Sequence, residues 1–506
     1  MSHLKVYNSL TQNLEDFSPW QPPVVKMYCC GPTVYDYLHV GNFRGAVFYQ
    51  FLRQVLRAEG YQVRFVYNFT DIDDKIIDRA NKEGRPAEEI SEFYIQEFWK
   101  DFDSLGLERH DHNPKVTETL KEIESFIQRL IDQGYAYVTA QGDVYFSINQ
   151  FPEYGKLSHR QVEQMRQGVR IDLKEDKKDP LDFALWKAAK PGEPAWPSPW
   201  GMGRPGWHIE CSAMSYKFLG EQVDIHGGGL DLLFPHHENE IAQSEACHHK
   251  PFVKYWVHNN LIQMDGAKMS KSLGNIIKAR DFFAQYHPEI FKFMVLSVHY
   301  RSVLDLGREA IDRAIYGLSK IYSAWARALA ITGVPQAWPE ELQALQHTQP
   351  SPDLFAKPLE PLWQELWNKM QQAYRQDFNS ALLLSYLHEA IRLFNKELPP
   401  QKSHTSSQAK SFALGFLQLL WRVHKLTALL QQEPQGFLRF LDDWLLQRKN
   451  ITREWVDAQV EARAQAREQK RFQDADAIRA QLTALGISLQ DQVDGRTLWE
   501  VDKSNE

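Results

Sequence analysis

Read for the alternation of apolar and polar positions, the chain divides into three stretches of different texture. Residues 1–23 are polar and end in proline, a lead-in with one strand at most. From 24 to about 115 the period changes back and forth. The apolar run 24–28 suits a short buried strand, and Gly31-Pro32 breaks it. From Val40, apolar residues recur at helical spacing (Val40, Phe43, Val47, Phe51, Val55, Leu56) until Gly60 ends the run. A second strand is predicted over 63–69, then helices over 73–82 and 87–105. This βα alternation is that of one half of a doubly wound sheet. From about 116 to 206 the texture shifts. A helix is predicted over 116–133, a hairpin over 135–148 around Gln141-Gly142, a polar tract over 174–179, and a rigid Pro/Gly/Trp-dense segment over 191–207. We read 116–206 as an insertion between the halves of the sheet.

The alternation returns at 207–305, with a strand over 223–225, a helix starting at Pro235 and a strand over 253–264. Beyond Leu306 nearly every segment has helical spacing, interrupted by a proline-rich linker at 333–361. Residues 453–486 form one long charged helix or two, and 487–501 reads as a terminal hairpin turning at Asp494-Gly495. The expected organisation is therefore α/β: a doubly wound parallel, Rossmann-type catalytic domain (1–115 and 207–305) with a connective insertion (116–206). A helical domain (306–433) and a C-terminal module (434–506) follow. No repeat or low-complexity tract interrupts it.

Composition changes this picture little. The 506 residues are 43% hydrophobic and 24% charged, ordinary for a multi-domain globular chain. No run has the length of an apolar membrane span, and the first residues lack the basic and apolar regions of a secretory signal. Four cysteines make no disulfide framework. These features predict a cytoplasmic protein with no membrane partner. The net charge of −7 weighs against nucleic acid as a partner unless basic residues cluster locally, as Arg463, Arg467, Lys470 and Arg471 do. Taken alone, that cluster reads as a solvated helix face.

Chemistry concentrates in two stretches. In the first, a strand ending at Cys29-Cys30, a Gly-Pro loop and the helix start His39-Val40-Gly41-Asn42 form a strand–loop–helix unit. Its helix N-terminus suits a phosphate, with Gly41 permitting close approach and His39 adding a donor. Alone, such a start also fits an ordinary core helix. In the second, Lys268-Met269-Ser270-Lys271-Ser272 puts two lysines on a Ser/Gly-rich loop, which alone reads as a solvated charge run. A third group is metal-capable: the cysteines, with His236-His237-Glu238-Asn239-Glu240. His236 and Glu240, four apart, share a helix face, and His237 with Glu240 does as well; spacing separates neither the histidines nor Cys29 from Cys30. Cys247-His248-His249 reads as an ordinary helix end.

Together the two stretches resemble the paired signatures of class I aminoacyl-tRNA synthetases. The blocks CGPTVYDYLHVGN, NFTDIDDKIIDRA, GRPGWHIECSAM, DIHGGGLDLLFPHHENEIAQSEA and GAKMSKSLGN are similar to the cysteinyl-tRNA synthetase family over most of the chain. The fourth position of the first signature is Asn42 where the family typically has His, so an altered phosphate contact is expected. The resemblance implies a monomeric ligase that activates L-cysteine with ATP and Mg²⁺ and transfers it to the 3′ end of the cognate tRNA. It implies one zinc ion per chain held by Cys30, Cys211, His236 and Glu240. Around ATP it places His39, Gly41, Asn42, Gly227, Gly228, Lys268, Ser270 and Lys271, with His39, Asn42, Lys268 and Lys271 as the catalytic group. Around cysteine it places Thr33, Thr70, Trp207, His208 and Asp231, and on anticodon bases Arg467, Phe472 and Asp476. From spacing alone, Phe472 would instead pack its helix on the final hairpin.

Zinc has a physical purpose in this reading. A pocket that measures only size separates near-isosteres by ~1–3 kcal/mol, whereas loss of a metal–thiolate contact penalises serine much further, and no editing-sized insertion is present. Two alternatives share the catalytic motifs or the zinc. One is a cysteine-adenylating ligase acting on an amino sugar, as in mycothiol biosynthesis, which would lack an anticodon-reading tail. The other is a non-catalytic zinc RNA-binding protein, which has no use for an intact KMSKS.

Overall fold

The computed structural model describes residues 3–168, 177–269, 274–334, 359–400, 402, 404–491 and 497–503. Two compact units divide the chain, Met1–Asp305 with Gln371–Leu383, and Leu306–Met370 with Leu384–Glu506.

The first unit opens with a hairpin, β1 (Lys5–Asn8) and β2 (Asn13–Asp16), where the sequence led us to expect one strand at most. Its centre is a four-stranded parallel sheet built from β3 (Val24–Cys29) and β4 (Gln62–Tyr67), joined by α1 (Val40–Ala58). The helices α2 (Asp74–Glu83) and α3 (Ala87–Ser104) follow. The inserted segment supplies α4 (Leu120–Asp132), then β5 (Ala136–Val138), β6 (Val144–Phe146) and α5 (Val162–Gly168). With β7 (Phe183–Ala188) and β8 (Gly203–Pro205), these strands form a separate antiparallel sheet in sequence order. The chain then returns to the parallel sheet through α6 (Trp207–Leu219), β9 (Val223–Gly229), α7 (Glu238–His248) and β10 (Val253–Asn259).

The strand order β10-β9-β3-β4 puts β9 and β4 on opposite sides of β3. The chain therefore leaves β3 in one direction and returns on the other, which makes a switch point with a crevice at the C-terminal strand ends. Register places Cys29 beside Tyr67 and Gly227, and Asn259 beside Gly229. Towards their C-terminal ends β3 and β4 are buried on both faces (Met27, Tyr28 and Cys29; Phe65, Val66 and Tyr67), while their first halves alternate, Gln62 and Arg64 being exposed on either side of buried Val63.

Two sequence expectations shift here. The run 253–264 is two strands. β10 ends at Asn259, the chain turns at Asn260-Leu261, and β11 (Ile262–Met264) joins a different sheet with β12 (Ala267–Lys268) and β13 (Leu304–Asp305). Between β12 and β13 lie α8 (Ala279–Tyr286) and α9 (Pro288–Leu296). The break falls at the polar run His258-Asn259-Asn260, whose Asn pair suits a turn and which the reading as one strand passed over. The helix expected from Pro235 instead begins as a π-turn, Leu233–His237, with Phe234 off-helix at φ −140°, and becomes α-helical at Glu238. Ser270 to Leu273, most of the linker 333–361 and the turn at Asp494-Gly495 lie outside the described residues.

In the second unit, Arg308–Thr332 packs against Pro434–Arg448, with Tyr322 and Phe437 ring centroids 4.2 Å apart. The charged run near the end is two helices, Arg453–Glu468 and Phe472–Ala484, separated at Lys470, whose φ of 62° ends the first. A small core of Leu445, Leu446, Val456, Leu482, Ile487 and Val501 joins them to the antiparallel pair Ile487–Asp491 and Thr497–Val501.

Candidate active site and metal centre

A cavity of about 700 Å³ opens at the C-terminal ends of β3, β4, β9 and β10. Thr33, His39, Gly41, Asn42, Trp207, Gly228 and Asp231 line it, as Cys30 does at its base.

Cys29 and Cys30 are consecutive at a strand end, and the two-residue period of a strand sends them to opposite sides. Cys29 is buried in the sheet. Cys30 faces a cluster in which its Sγ lies 3.5 Å from Cys211 Sγ and 3.2 Å from Glu240 Oε1, with His236 Nε2 3.1 Å from that same oxygen. The four ligand atoms lie within 4.8 Å of one another. In tetrahedral zinc, bonds of ~2.3 Å to sulfur and ~2.0–2.2 Å to nitrogen or oxygen give ligand–ligand edges of about 3.3–3.8 Å, and the three observed edges fall at or just below that range. The donor set and its spacing fit the ion.

A second set with metal-like spacing shares Cys30 and Glu240 but takes His226 and His237. It has one sulfur instead of two, and its imidazoles have other work. His226 Nε2 lies 2.9 Å from Glu240 Oε2, the oxygen turned away from Cys30, and His237 Nδ1 is 2.8 Å from His258 Nε2. The off-helix turn at Phe234-Pro235 aims His236 and His237 in different directions although they are adjacent.

Behind the four donors stands another layer. His208 Nδ1 is 3.0 Å from His236 Nδ1, so His236 is braced on the side opposite its cluster-facing Nε2. Asn68 Oδ1 accepts the Gly31 N–H at 2.9 Å and lies 3.7 Å from Cys211 Sγ. Burial shapes the charges. It pushes the Cys30 thiol well up, and neighbouring Cys211 adds to that. For Cys211, burial also raises the pKa, but the Cys30 hydrogen bond and His236 outweigh it and bring it to about 6. Burial disfavours a charged His236, yet Glu240 raises it to about 10, while His226 and His236 hold the Glu240 carboxylate far below its usual range despite burial. Burial and the His236 charge hold His208 neutral. The cluster thus brings two sulfurs, a carboxylate and an imidazole into contact, a donor set that suits a divalent cation.

The other end of the cavity is the start of α1. His39 is its N-cap, in extended conformation, and the Asn42 side-chain oxygen accepts the His39 backbone N–H at 3.2 Å. The Asn42 carbonyl oxygen is therefore spent on closing the helix start. Ile277–Ala279 is fastened across this turn, Val40 N–H donating to Ile277 at 3.1 Å and Ala279 N–H to Leu38 at 2.9 Å. That places the chain leaving KMSKS directly on the helix start. Lys268 ends β12, while its side chain, Ser270 and Lys271 lie outside what is described.

The remaining expected residues distribute as follows. Trp207, at the first turn of α6, stacks near His236 with ring centroids 4.3 Å apart and remains 38% exposed to the cavity. Asp231 sits in a short 3₁₀ turn, exposed at the cavity edge. Thr33 borders the cavity and pairs with Thr70 through a backbone bridge. Thr70 itself is buried, and its hydroxyl donates to Glu210 at 2.9 Å. Gly228 lines the cavity, yet a Cβ on it would meet the His237 ring at 2.8 Å and one on Gly227 the Tyr49 ring at 2.5 Å, so both glycines make room for side chains of the protein. In the second unit Phe472 is 60% exposed, contrary to the packing that spacing alone suggested. Arg467 Nη1 pairs with Asp491 at 2.8 Å, and Asp476 is exposed on the helix that Phe472 starts.

Sequence reasoning passed over His226, Asn68, Tyr49 and two cavity cations, Lys75 and Lys278. His226 and Asn68 stand inside matched blocks, Asn68 just past the end of β4 and His226 in the middle of β9. Lys75 and Lys278 lie over the rings of Tyr35 and Tyr37, with no sequence period to single them out.

Known proteins give the same arrangement a context. A family model described as the tRNA synthetases class I (C) catalytic domain matches residues 16–316, and one described as the cysteinyl-tRNA ligase anticodon binding domain matches 453–499. A cysteine–tRNA ligase from Bdellovibrio bacteriovorus is 49% identical over 501 residues, 99% of this chain and 100% of that protein. One from Nitratidesulfovibrio vulgaris is 44% identical over 499 residues, 98% of this chain and 100% of the relative. In fold, the chain is similar to Mycobacterium tuberculosis methionyl-tRNA synthetase solved with methionyl-adenylate. The TM-score is 0.57 at 14% identity, covering 83% of this chain and 94% of that one.

Proposed function

The chain belongs to the cysteine–tRNA ligase family of class I tRNA synthetases, and from that premise we propose how its residues divide the work. It is an aminoacyl-tRNA synthetase that uses ATP to join cysteine to tRNA. The match to an anticodon-binding model over 453–499 weighs against an amino-sugar ligase, and the catalytic-domain match weighs against a purely binding protein.

The observation that carries the mechanism is one cavity bordered by a helix N-terminus and by Cys30, behind which Cys211, His236 and Glu240 complete a buried Cys/Cys/His/Glu cluster. Cys30, Cys211, His236 and Glu240 would hold zinc, which when bound supplies a soft Lewis acid that prefers the substrate thiolate to a serine hydroxyl. His208 fixes the orientation of His236, and His226 holds the second Glu240 oxygen. Trp207 walls the amino-acid end and excludes water. Asp231 faces the α-ammonium, and Thr33 borders the same end. Thr70 acts through Glu210 on the shape of that wall, since its hydroxyl is already committed.

The cysteine carboxylate attacks the α-phosphorus of ATP in line, the bond to the bridging oxygen breaks and pyrophosphate leaves; a terminal ribose hydroxyl of the tRNA then takes the cysteinyl group from the adenylate and AMP leaves, with no covalent enzyme intermediate. The residues contribute position and charge. The α1 N-terminus with His39 and the Asn42 NH₂ donates to the phosphates, Gly41 and Gly228 border the nucleotide, and Lys268, Ser270 and Lys271 meet the developing negative charge. Mg²⁺ arrives with the nucleotide. At the far end of the chain Phe472 stacks an unpaired anticodon base, with Arg467 and Asp476 offering base-edge contacts. We place the protein in the cytoplasm as a monomer. Its four cysteines are all free, and among the described residues no helix is long and apolar enough to cross a membrane.

The test is ATP–pyrophosphate exchange across a panel of amino acids, with metal analysis of Cys211→Ser. Exchange should depend on cysteine and not serine, and the variant should lose both zinc and cysteine activation. Full zinc retention after single substitution of each of the four donors would refute the metal assignment.

A further inference from the structure

Two arginines of α1 are fully buried, and they are held in different ways. Arg53 donates to the carbonyls of Glu108 and Arg109 and lies 3.6 Å from the Glu108 carboxylate. Arg44 is 1% exposed, and among the described residues no carboxylate pairs with it. Its guanidinium donates to three main-chain carbonyls, Nη1 to Leu261 at 2.5 Å and Nη2 to Ser302 at 2.5 Å and Tyr300 at 3.2 Å. Burial lowers its pKa to about 10, which leaves it charged at neutral pH.

Those carbonyls belong to two segments that meet at one place. Leu261 leads into β11, and Tyr300 and Ser302 lead into β13, its parallel neighbour. Asn260 N–H donates to Tyr300 at 2.8 Å and Leu304 N–H to Leu261 at 3.2 Å, so the segments are joined where Arg44 grips them. β11 also pairs with β12, Gln263 opposite Lys268. Asn260, Leu261 and Ile262 line the same cavity as His39, Gly41 and Asn42, which form the start of Arg44's own helix. A planar fork can hold three acceptors from two segments at fixed separation, whereas a lysine ammonium is a single point on a flexible stem.

We propose that Arg44 is a positioning residue for adenylate formation: by tying α1 to Leu261, Tyr300 and Ser302 it sets the spacing between the two walls of the nucleotide end of the cavity. The proposal rests on the ligase reading above. Its loss acts on ATP and leaves the cysteine end, built on Cys30, Cys211 and Trp207, in place.

The experiment compares full-length wild type, Arg44→Lys and Arg53→Lys in cysteine-dependent pyrophosphate exchange, with zinc content and thermal melting measured on each. For Arg44→Lys, kcat/KM for ATP should fall roughly 10–100-fold, as expected for reacting groups displaced by a fraction of an ångström to one ångström, while KM for cysteine stays within about twofold. Its zinc content should match wild type. Arg53→Lys, which grips carbonyls away from the cavity, should lower the melting temperature without splitting ATP from cysteine. A rise in KM for cysteine as large as the loss in kcat/KM for ATP in Arg44→Lys, unchanged ATP kinetics, or the same split in Arg53→Lys would each overturn the proposal. Should Arg44→Lys not fold, Arg44→Gln, which keeps two N–H donors without the charge, takes its place. If neither folds, Arg44 is a stability residue and the proposal falls. Wild type without cysteine-dependent exchange would instead overturn the ligase reading itself.

Discussion

Replacing His208 by phenylalanine should weaken zinc binding without touching the nucleotide end. His208 is half-buried, its pKa is held well below the usual imidazole value by desolvation and then by His236, and its ring packs edge-on against Phe183 with centroids 5.7 Å apart, so a phenyl ring preserves the packing. The change removes one contact, the 3.0 Å hydrogen bond between its Nδ1 and His236 Nδ1. His236 is then left with a buried, unpaired ring nitrogen, at a cost of about 1–3 kcal/mol. That matches the ~10–100-fold loss of metal affinity typical when the group orienting a ligand histidine is removed. The assay is competition for zinc against a chelator of known affinity, read without any activity measurement. His208→Gln, which can restore a hydrogen bond, should recover part of the loss. Unchanged zinc affinity in His208→Phe, together with weakened cysteine binding, would refute the reasoning and place His208 directly on the substrate.

Three further outcomes are expected. Lys271→Ala should slow single-turnover adenylate formation strongly with cysteine affinity nearly unchanged, because a loop lysine contributes where charge develops in the transition state; loss of ground-state cysteine affinity at an unchanged rate would contradict this. Phe472→Ala should lower kcat/KM for cognate tRNA by the ~1–3 kcal/mol of a base–aromatic stack and leave pyrophosphate exchange alone; undiminished charging would remove Phe472 from the tRNA interface. His110, stacked on Tyr67 at 4.5 Å, has its pKa lowered to about 3, by burial first and then by Arg53. Its folded pKa lies below the unfolded value of about 6.5, so its contribution to stability is complete above that pH and falls by about 1 kcal/mol per pH unit as the pH drops toward 3. Urea midpoints from pH 7 to 5 should therefore fall more steeply in wild type than in His110→Phe, and parallel slopes would show that His110 charges freely in the fold.

What the sequence could show follows from the range of each interaction. The strand–loop–helix unit around His39 was legible because its parts are neighbours: an apolar run, a Gly-Pro break and a helical period lie within a few dozen residues. The metal donors were legible only through resemblance, since Cys30, Cys211 and His236 come from a strand end, a helix and an irregular turn brought together by the sheet. Spacing left His236 and His237 equivalent on an ideal helix. The molecule separates them because Phe234 leaves helical geometry, turning His236 toward Cys211 and Glu240 and His237 toward His258. The break at Asn260-Leu261 is marked only by the polar run His258-Asn259-Asn260. Its geometry is fixed by partners far away in sequence: the Tyr300 carbonyl that accepts the Asn260 N–H, and the Arg44 guanidinium that holds the Leu261 carbonyl. In α1, Arg44 occupies what the period marks as a polar position between Phe43 and Val47, and it is buried only because three carbonyls satisfy it. Local pattern thus places the chain ends that build the cavity, and long-range polar contacts decide which side chains face into it. That is why the residues passed over, His226, Asn68, Tyr49 and Arg44, are polar groups whose partners lie on another element.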